Sequence, residues 1–245
     1  MAKVAILGAT GSVGNALARA LQQRGDSVAL LARDETQLCA LAAELDAPFA
    51  VIDISSSATV ESALSVAREQ LHGLDGIANC IGSVHLKPAH ATSDSEFRST
   101  IETNLFSAFA TVRAASSLMR DGGSVVLFAS AAAEIGITNH EAIAAAKAGI
   151  IGLARAAAAT YASRNLRINV ISPGLVKSKM TQRLWESPSA AAASLEMHAL
   201  GRLGEPEQVA SLAAWLLDPT NDWITGQVIG IDGGLGHLLP RRKSA

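Results

Sequence analysis

The sequence predicts an α/β protein: a doubly wound parallel sheet of seven strands with helices on both faces. Three observations carry that expectation. Short β-branched or apolar runs alternate along the chain with longer, alanine-rich stretches of helical period. Each short run is nearly continuously apolar, as a strand buried on both faces must be. A glycine-rich turn, Gly8-Ala9-Thr10-Gly11-Ser12-Val13-Gly14, joins the first run to the first helical stretch.

In order, strands are expected at Val4–Leu7, Ser27–Ala32, Phe49–Ile52, Gly76–Asn79, Ser124–Ala129, Arg167–Ile171 and Val228–Ile231. Helices are expected near 12–24, 34–45, 56–71, 94–118, 141–163 and 206–217. No composition shift, linker or repeat divides the chain, so residues 1–245 are expected to form one domain. The least regular long stretch, 173–204, opens with Pro173 and Gly174, carries Pro188 and the Ala190–Ala193 run, and closes before Pro206. It reads as an excursion beyond the carboxyl ends of the strands, where such folds bind ligands. A substrate lid and a plain surface helical hairpin are the two readings of it.

At 245 residues, with 49% hydrophobic and only 4% aromatic side chains, the chain is long enough to bury a sizeable core unaided. Its 20 basic and 22 acidic residues leave a net charge of −2, which argues against nucleic acid or a membrane surface as a partner and for a small, mildly polar or uncharged one. Cys39 and Cys80 show no metal-ligand spacing and fit a reducing compartment; neither is assigned a function. The scattered histidines form no metal motif, and no metal site is expected. No leader-like pattern opens the chain, and no apolar run approaches membrane-span length, so the cytoplasm is the expected location.

The glycine turn stands where a backbone approaches a pyrophosphate, whose charge is favoured at a helix N-terminus. Gly8, Thr10, Gly11, Ser12, Val13 and Gly14 are therefore candidate cofactor contacts. A carboxylate gripping the ribose hydroxyls belongs at the end of the second strand, but that segment reads Leu31-Ala32-Arg33-Asp34. Arg33 suits a 2′-phosphate and favours NADP, with NAD still possible. Its other reading is a solvated arginine at a helix start capped by Asp34.

With the glycine loop and Asn79-Cys80-Ile81-Gly82, the chain resembles the short-chain dehydrogenase/reductase family along nearly its whole length. Further matches are Thr103-Asn104-Leu105, Ser130, Lys147, the run Ser172-Pro173-Gly174-Leu175-Val176-Lys177-Ser178, and Ile231-Asp232-Gly233-Gly234. The resemblance implies a Rossmann fold and nicotinamide chemistry on a small molecule. It implies that Asp53 and Ile54 flank the adenine and that Asn79 and Gly82 line the cofactor channel. Pro173, Gly174, Val176 and Ser178 would hold the nicotinamide, and Asn104, Ser130 and Lys147 would be three members of an Asn-Ser-Tyr-Lys catalytic set. The loop departs from the family's commonest G-x-x-x-G-x-G, because Ser12 stands at the middle glycine.

The larger departure is Ile143, four residues before Lys147, where the resemblance implies a proton-transferring tyrosine. The only tyrosine, Tyr161, lies fourteen residues beyond Lys147, about 21 Å along a helix at 1.5 Å per residue. Three explanations are open. His140 takes over as acid, with Glu141 beside it, although a capping or solvent-facing histidine and a favourable helix-start charge are their simpler readings. Alternatively, the substrate is a conjugated double bond or iminium that needs no tyrosine. In the third case the protein binds the dinucleotide without turnover, as a sensor or oligomer partner.

Substrate-facing candidates come from Ser83–His90, Ala131–His140 and Lys179–Leu200, which supply His85, His90, Trp185, Met197 and His198 among small apolar residues and suggest a partly apolar ligand. Ala144, Ala148, Ile151, Arg155 and Ala159 form a small-residue stripe on the 141–163 helix. The resemblance implies a homo-oligomer, dimer or tetramer, through this helix and that at 94–118; packing on the sheet is the competing use of the stripe.

Overall fold

A computed structural model describes residues 1–239. Seven parallel strands, β1 (Lys3–Leu7), β2 (Ser27–Ala32), β3 (Phe49–Val51), β4 (Gly76–Asn79), β5 (Gly123–Phe128), β6 (Leu166–Pro173) and β7 (Val228–Ile231), lie in the order β3-β2-β1-β4-β5-β6-β7. The chain reverses its direction of travel across the sheet between β1 and β4, which opens a crevice at their carboxyl ends.

Successive strand residues point to opposite faces, so each face has its own core. Ala5, Leu7, Leu31, Ile77, Val125, Leu127 and Val170 pack under α3 (Ser57–Gln70), α5 (Ser107–Leu118) and α6 (Glu141–Tyr161). Val4, Ile6, Leu30, Ala78, Val126 and Ile171 pack under α1 (Ser12–Gln23), α2 (Glu35–Leu45) and α9 (Pro206–Leu217). Only small side chains allow so many helices to approach one sheet, and the alanine-rich composition supplies them.

The single helix expected at 94–118 is instead α4 (Asp94–Ile101), a π-helical turn (Glu102–Phe106) and α5. The backbone stays right-handed helical through the turn, where Ser107 N–H donates to the Glu102 carbonyl five residues back, while Asn104 Nδ2 donates to the Thr100 carbonyl at 2.9 Å and Ser107 Oγ to that of Thr103 at 2.7 Å. A second expectation also needs correcting. Together with the turn that follows it, α6 forms a helical segment, Glu141–Arg164, long and apolar enough by composition to cross a bilayer. Between its charged ends Glu141 and Arg164 only Lys147 and Arg155 carry charge among mainly alanine, glycine, isoleucine and leucine, too few to lower its hydropathy. Its buried face, Ala142, Ile143, Ala146, Lys147, Ile150, Ala154, Ala157 and Ala158, is folded into the protein.

The excursion after β6 leaves the sheet at Pro173 and returns at Gly204, where Val176 and Gly204 form an isolated parallel bridge. Between them lie α7 (Gln182–Trp185) and α8 (Pro188–Met197), and neither helix buries a side chain fully.

Candidate active site

The glycine turn wraps the carboxyl end of β1. Gly8 has φ +75°, and a Cβ there would lie 2.9 Å from the Cys80 backbone. A Cβ on Gly14 would fall on the Gly8 carbonyl oxygen, so only glycine lets α1 sit this close to the turn. Gly11 caps α1 with extended backbone and no side-chain acceptor, which leaves the first helical N–H groups for a ligand. A cradle built so that no side chain fills it, at the N-terminus of a 12-residue helix, suits a dinucleotide pyrophosphate. Thr10 and Val13 lie in the same turn, and Ser12 Oγ accepts from the Lys179 N–H at 3.2 Å, joining the excursion to the loop.

Arg33 lies exposed just beyond β2 and forms no ion pair among the described residues. Asp34 caps α2 by accepting from Gln37 N at 3.0 Å, and that bond holds its carboxyl below its ordinary range. The capping role of Asp34 therefore does not consume Arg33. Asp53 accepts from the Ser55 hydroxyl at 2.6 Å and the Ser55 N–H at 2.9 Å, which together hold its pKa down; Ile54 beside it is half-buried.

Asn79 faces inward. Its Nδ2 donates to Thr111 Oγ1 at 3.1 Å and Ser107 Oγ at 3.4 Å, and its Oδ1 accepts from Ile81 N at 3.0 Å. The side chain thus fastens the end of β4 to α5, and what it offers to the channel is the shape of the following turn.

Three expected residues converge beyond that turn. A Cβ on Gly82 would lie 3.2 Å from Asn104 Oδ1 and 3.5 Å from Lys147 Nζ. Asn104 is 1% exposed, and its amide exchanges hydrogen bonds with Ser83, accepting from its N–H at 3.2 Å and donating to its Oγ at 3.0 Å. Lys147 donates to the Phe128 carbonyl at 2.9 Å. Burial pushes its ammonium down to about 8, and burial pushes the neighbouring Cys80 thiol up to about 12. Cys80, assigned no function from sequence, is thus an uncharged neighbour of the site lysine.

Ser130 begins the 3₁₀ turn Ala131–Ala133, and its Oγ accepts from Ala132 N at 3.2 Å; its hydroxyl proton stays available to an acceptor. Ile143, in the first turns of α6, is 4% exposed. His140 is the N-cap residue of α6 and turns its Nδ1 onto the Thr138 carbonyl at 2.8 Å. Facing a carbonyl, that nitrogen is the donor, so Nε2 carries the lone pair in the neutral ring. Glu141 accepts from Ala89 N at 3.3 Å, which ties α6 to the turn after β4.

Pro173 ends β6, Val176 is buried, and Ser178 Oγ pairs with Thr181 Oγ1 at 3.0 Å. Gly174 has no room for a side chain: a Cβ would meet Asp232 at 3.0 Å and crowd the His198 ring. His198, a substrate candidate from sequence, is buried with both nitrogens engaged; Nε2 accepts from Leu175 N at 3.1 Å and Nδ1 donates to Ser194 O at 2.6 Å. It holds the excursion in place. Ser83, Lys179 and Met180 fall within the segments expected to face the substrate, and the fold brings Ser83 and Met180 to the Asn104–Gly82 turn and Lys179 to the glycine loop.

A family model described as enoyl-(acyl carrier protein) reductase matches residues 8–236. The structure of a short-chain type dehydrogenase/reductase from Mycobacterium ulcerans superposes with a TM-score of 0.91 at 26% identity, covering 95% of this chain and 89% of that one. The chain belongs to the short-chain dehydrogenase/reductase family. Its similarity to curated members is near end to end: it is 32% identical to carbonyl reductase family member 4 of Xenopus tropicalis over 96% of this chain and 98% of the relative. It is also 33% identical to a protein of Xanthobacter autotrophicus named inactive 2-(S)-hydroxypropyl-CoM dehydrogenase 2, over 89% and 99%. An actinorhodin polyketide ketoreductase solved with NADPH matches this short-chain dehydrogenase/reductase with a TM-score of 0.88 at 26% identity, over 97% and 98% of the two chains.

Proposed function

We propose that the protein is an NADP(H)-dependent oxidoreductase whose substrate is a small, partly apolar carbonyl or alcohol, or a conjugated compound, and whose site works without a tyrosine. The observation that carries this reading is the convergence of Asn104 and Lys147 on Gly82, beside a glycine cradle that no side chain fills. The cradle of Gly8, Thr10, Gly11, Ser12, Val13 and Gly14 would hold the pyrophosphate, and Arg33 the 2′-phosphate. Asp53 and Ile54 would border the adenine, and Gly82, Pro173, Gly174, Val176 and Ser178 the nicotinamide. When bound, the nicotinamide supplies or accepts the hydride. Lys147 would hold the ribose, Ser130 would donate to the substrate oxygen, and Asn104 would fix the turn through Ser83. Residues 173–204 would act as the lid, within one domain spanning 1–245.

Ile143 has no proton to give, which favours substrates whose proton comes from water or from the substrate itself. The Nδ1 bond of His140 holds it in the turn before α6 and supports a structural role there. A second reading, a dinucleotide-binding protein without turnover, draws support from Ile143 and from the similarity to a relative named inactive. The discriminating experiment measures NADPH and NADH binding by fluorescence, then NADPH oxidation against ketones, enones and imines. Turnover of any class excludes the silent reading, and tight binding with none excludes the enzyme.

Ala144, Ala148, Arg155 and Ala159 of the stripe are exposed or half-exposed, while Ile151 packs partly against the core. The stripe supports a homo-oligomer built through this helix, in a cytoplasmic protein.

A further inference from the structure

The glycine cradle and the excursion are joined by one side chain that departs from the family's commonest loop pattern. Ser12, half-buried in the first turn of α1, accepts from the backbone N–H of Lys179 at 3.2 Å, across 167 residues of sequence. The partner segment is folded on itself by hydrogen bonds. Ser178 N donates to Thr181 Oγ1 at 3.2 Å, Thr181 Oγ1 donates to the Val176 carbonyl, and Trp185 Nε1 donates to the Ser178 carbonyl at 3.1 Å. Its base is pinned where Lys177 N donates to Gly204 O at 2.9 Å and Lys177 pairs with Glu205 at 2.7 Å. The neighbouring Met180 Cε reaches within 3.9 Å of where a Gly82 side chain would start. Residues 177–181 therefore cross from the phosphate cradle to the Asn104–Lys147 cluster as a strap.

A serine hydroxyl has one proton and two lone pairs. In this structure the Lys179 N–H takes a lone pair, so the proton is left to donate. The acceptor best placed for it is an anionic oxygen at the N-terminus of α1, where the exposed first-turn N–H groups and the helix dipole favour negative charge. Donating to an anion makes the serine oxygen a stronger acceptor, so the two bonds reinforce each other. The Lys179 ammonium, exposed and in no ion pair among the described residues, adds a cation on the same side.

We infer that Ser12 is a positioning residue that couples nucleotide binding to strap closure, receiving the Lys179 N–H and donating to a diphosphate oxygen. A glycine at this position has no side chain through which to link the two events. The inference rests on the proposed nucleotide site, and by reciprocity the closed strap raises nucleotide affinity by the factor by which nucleotide favours closure.

The test is amide hydrogen exchange of peptides covering 177–185, without nucleotide and with saturating ADP or NADPH, for wild type and for Ser12→Ala, Ser12→Gly and Ser12→Thr. ADP carries the diphosphate without a nicotinamide, so protection by ADP isolates the coupling from contacts at the reacting end. Wild type and Ser12→Thr are expected to slow exchange of the strap at least about fivefold on binding, in line with ordinary coupling free energies. Ser12→Ala and Ser12→Gly are expected to bind both nucleotides about fivefold or more weakly and, even when saturated, to leave strap exchange unchanged. Glycine suits this turn, so Ser12→Gly serves if the alanine variant folds poorly. Equal strap protection in saturated Ser12→Gly and wild type overturns the coupling and leaves the nucleotide site standing. Failure of wild type to bind any dinucleotide overturns both.

Discussion

Lys147 donates from Nζ to the carbonyl of Phe128, nineteen residues earlier, at 2.9 Å, so the end of β5 aims the lysine of α6 at the Gly82 turn. Its position is bought with burial. In the unfolded chain a lysine titrates at 10.5, and in the fold Lys147 titrates at about 8. Between these pH values the unfolded chain binds more protons. The charged form therefore destabilises the fold fully below pH 8, and the penalty fades as pH rises to 10.5.

Lys147→Met should consequently weaken nucleotide binding about 10- to 100-fold yet stabilise the protein at pH 7 by about 1–2 kcal/mol, the penalty less the lost bond to Phe128. Urea unfolding at pH 7 and pH 10.5 checks this, with the gain shrinking at the higher pH. A less stable variant at pH 7 with the wild-type pH slope would refute it.

Ile143→Tyr should place a phenol one helical turn from Lys147 and raise NADPH-dependent ketone reduction about 10²-fold, the ordinary worth of a positioned proton donor. Ile143 is 4% exposed, so the larger ring should cost about 1–3 kcal/mol of stability. Steady-state rates and thermal melts measure both. A folded, nucleotide-binding variant with no gain would show that the pocket itself has changed.

His140→Ala should leave turnover within about tenfold of wild type, because a positioned acid contributes 10² or more. The Nδ1 bond to Thr138 gives this histidine a structural task in the turn before α6. A loss of about 10²-fold or more, together with loss of a falling rate at higher pH, would identify it as the relocated acid.

Arg33→Ala should weaken NADPH binding about 10- to 100-fold and leave NADH nearly unchanged, since only the former carries the 2′-phosphate. Titration of intrinsic fluorescence with each nucleotide reads the difference. Equal losses for both would mean that Arg33 supports the fold and does not read the phosphate.

Ala148→Arg, on the outward face of α6, should convert an oligomer to monomer in sedimentation velocity while far-UV circular dichroism is unchanged. An unaltered sedimentation coefficient would move the interface elsewhere.

The sequence by itself determined the alternation of strands and helices, the glycine turn after β1 and the candidate status of Asn104, Ser130 and Lys147. These are local signals: a period of two or 3.6 residues, or a glycine where a Cβ has no room. The π-helical turn at Glu102–Phe106 within 94–118 was illegible, because no residue type there marks it: Thr100 and Thr111 make the same four-back side-chain bonds as Ser107 inside regular helix. The inward turn of Asn79 needed α5 beside β4, and the burial of Lys147 needed β5 and the Gly82 turn around it. Ser12 was legible as a candidate phosphate contact, but its bond to Lys179 exists only because the fold brings the two together across 167 residues. Elements follow from neighbours along the chain, whereas charge, hydrogen-bond partners and the closing of a groove are set by residues far apart in sequence, which only the order of strands in the sheet brings together.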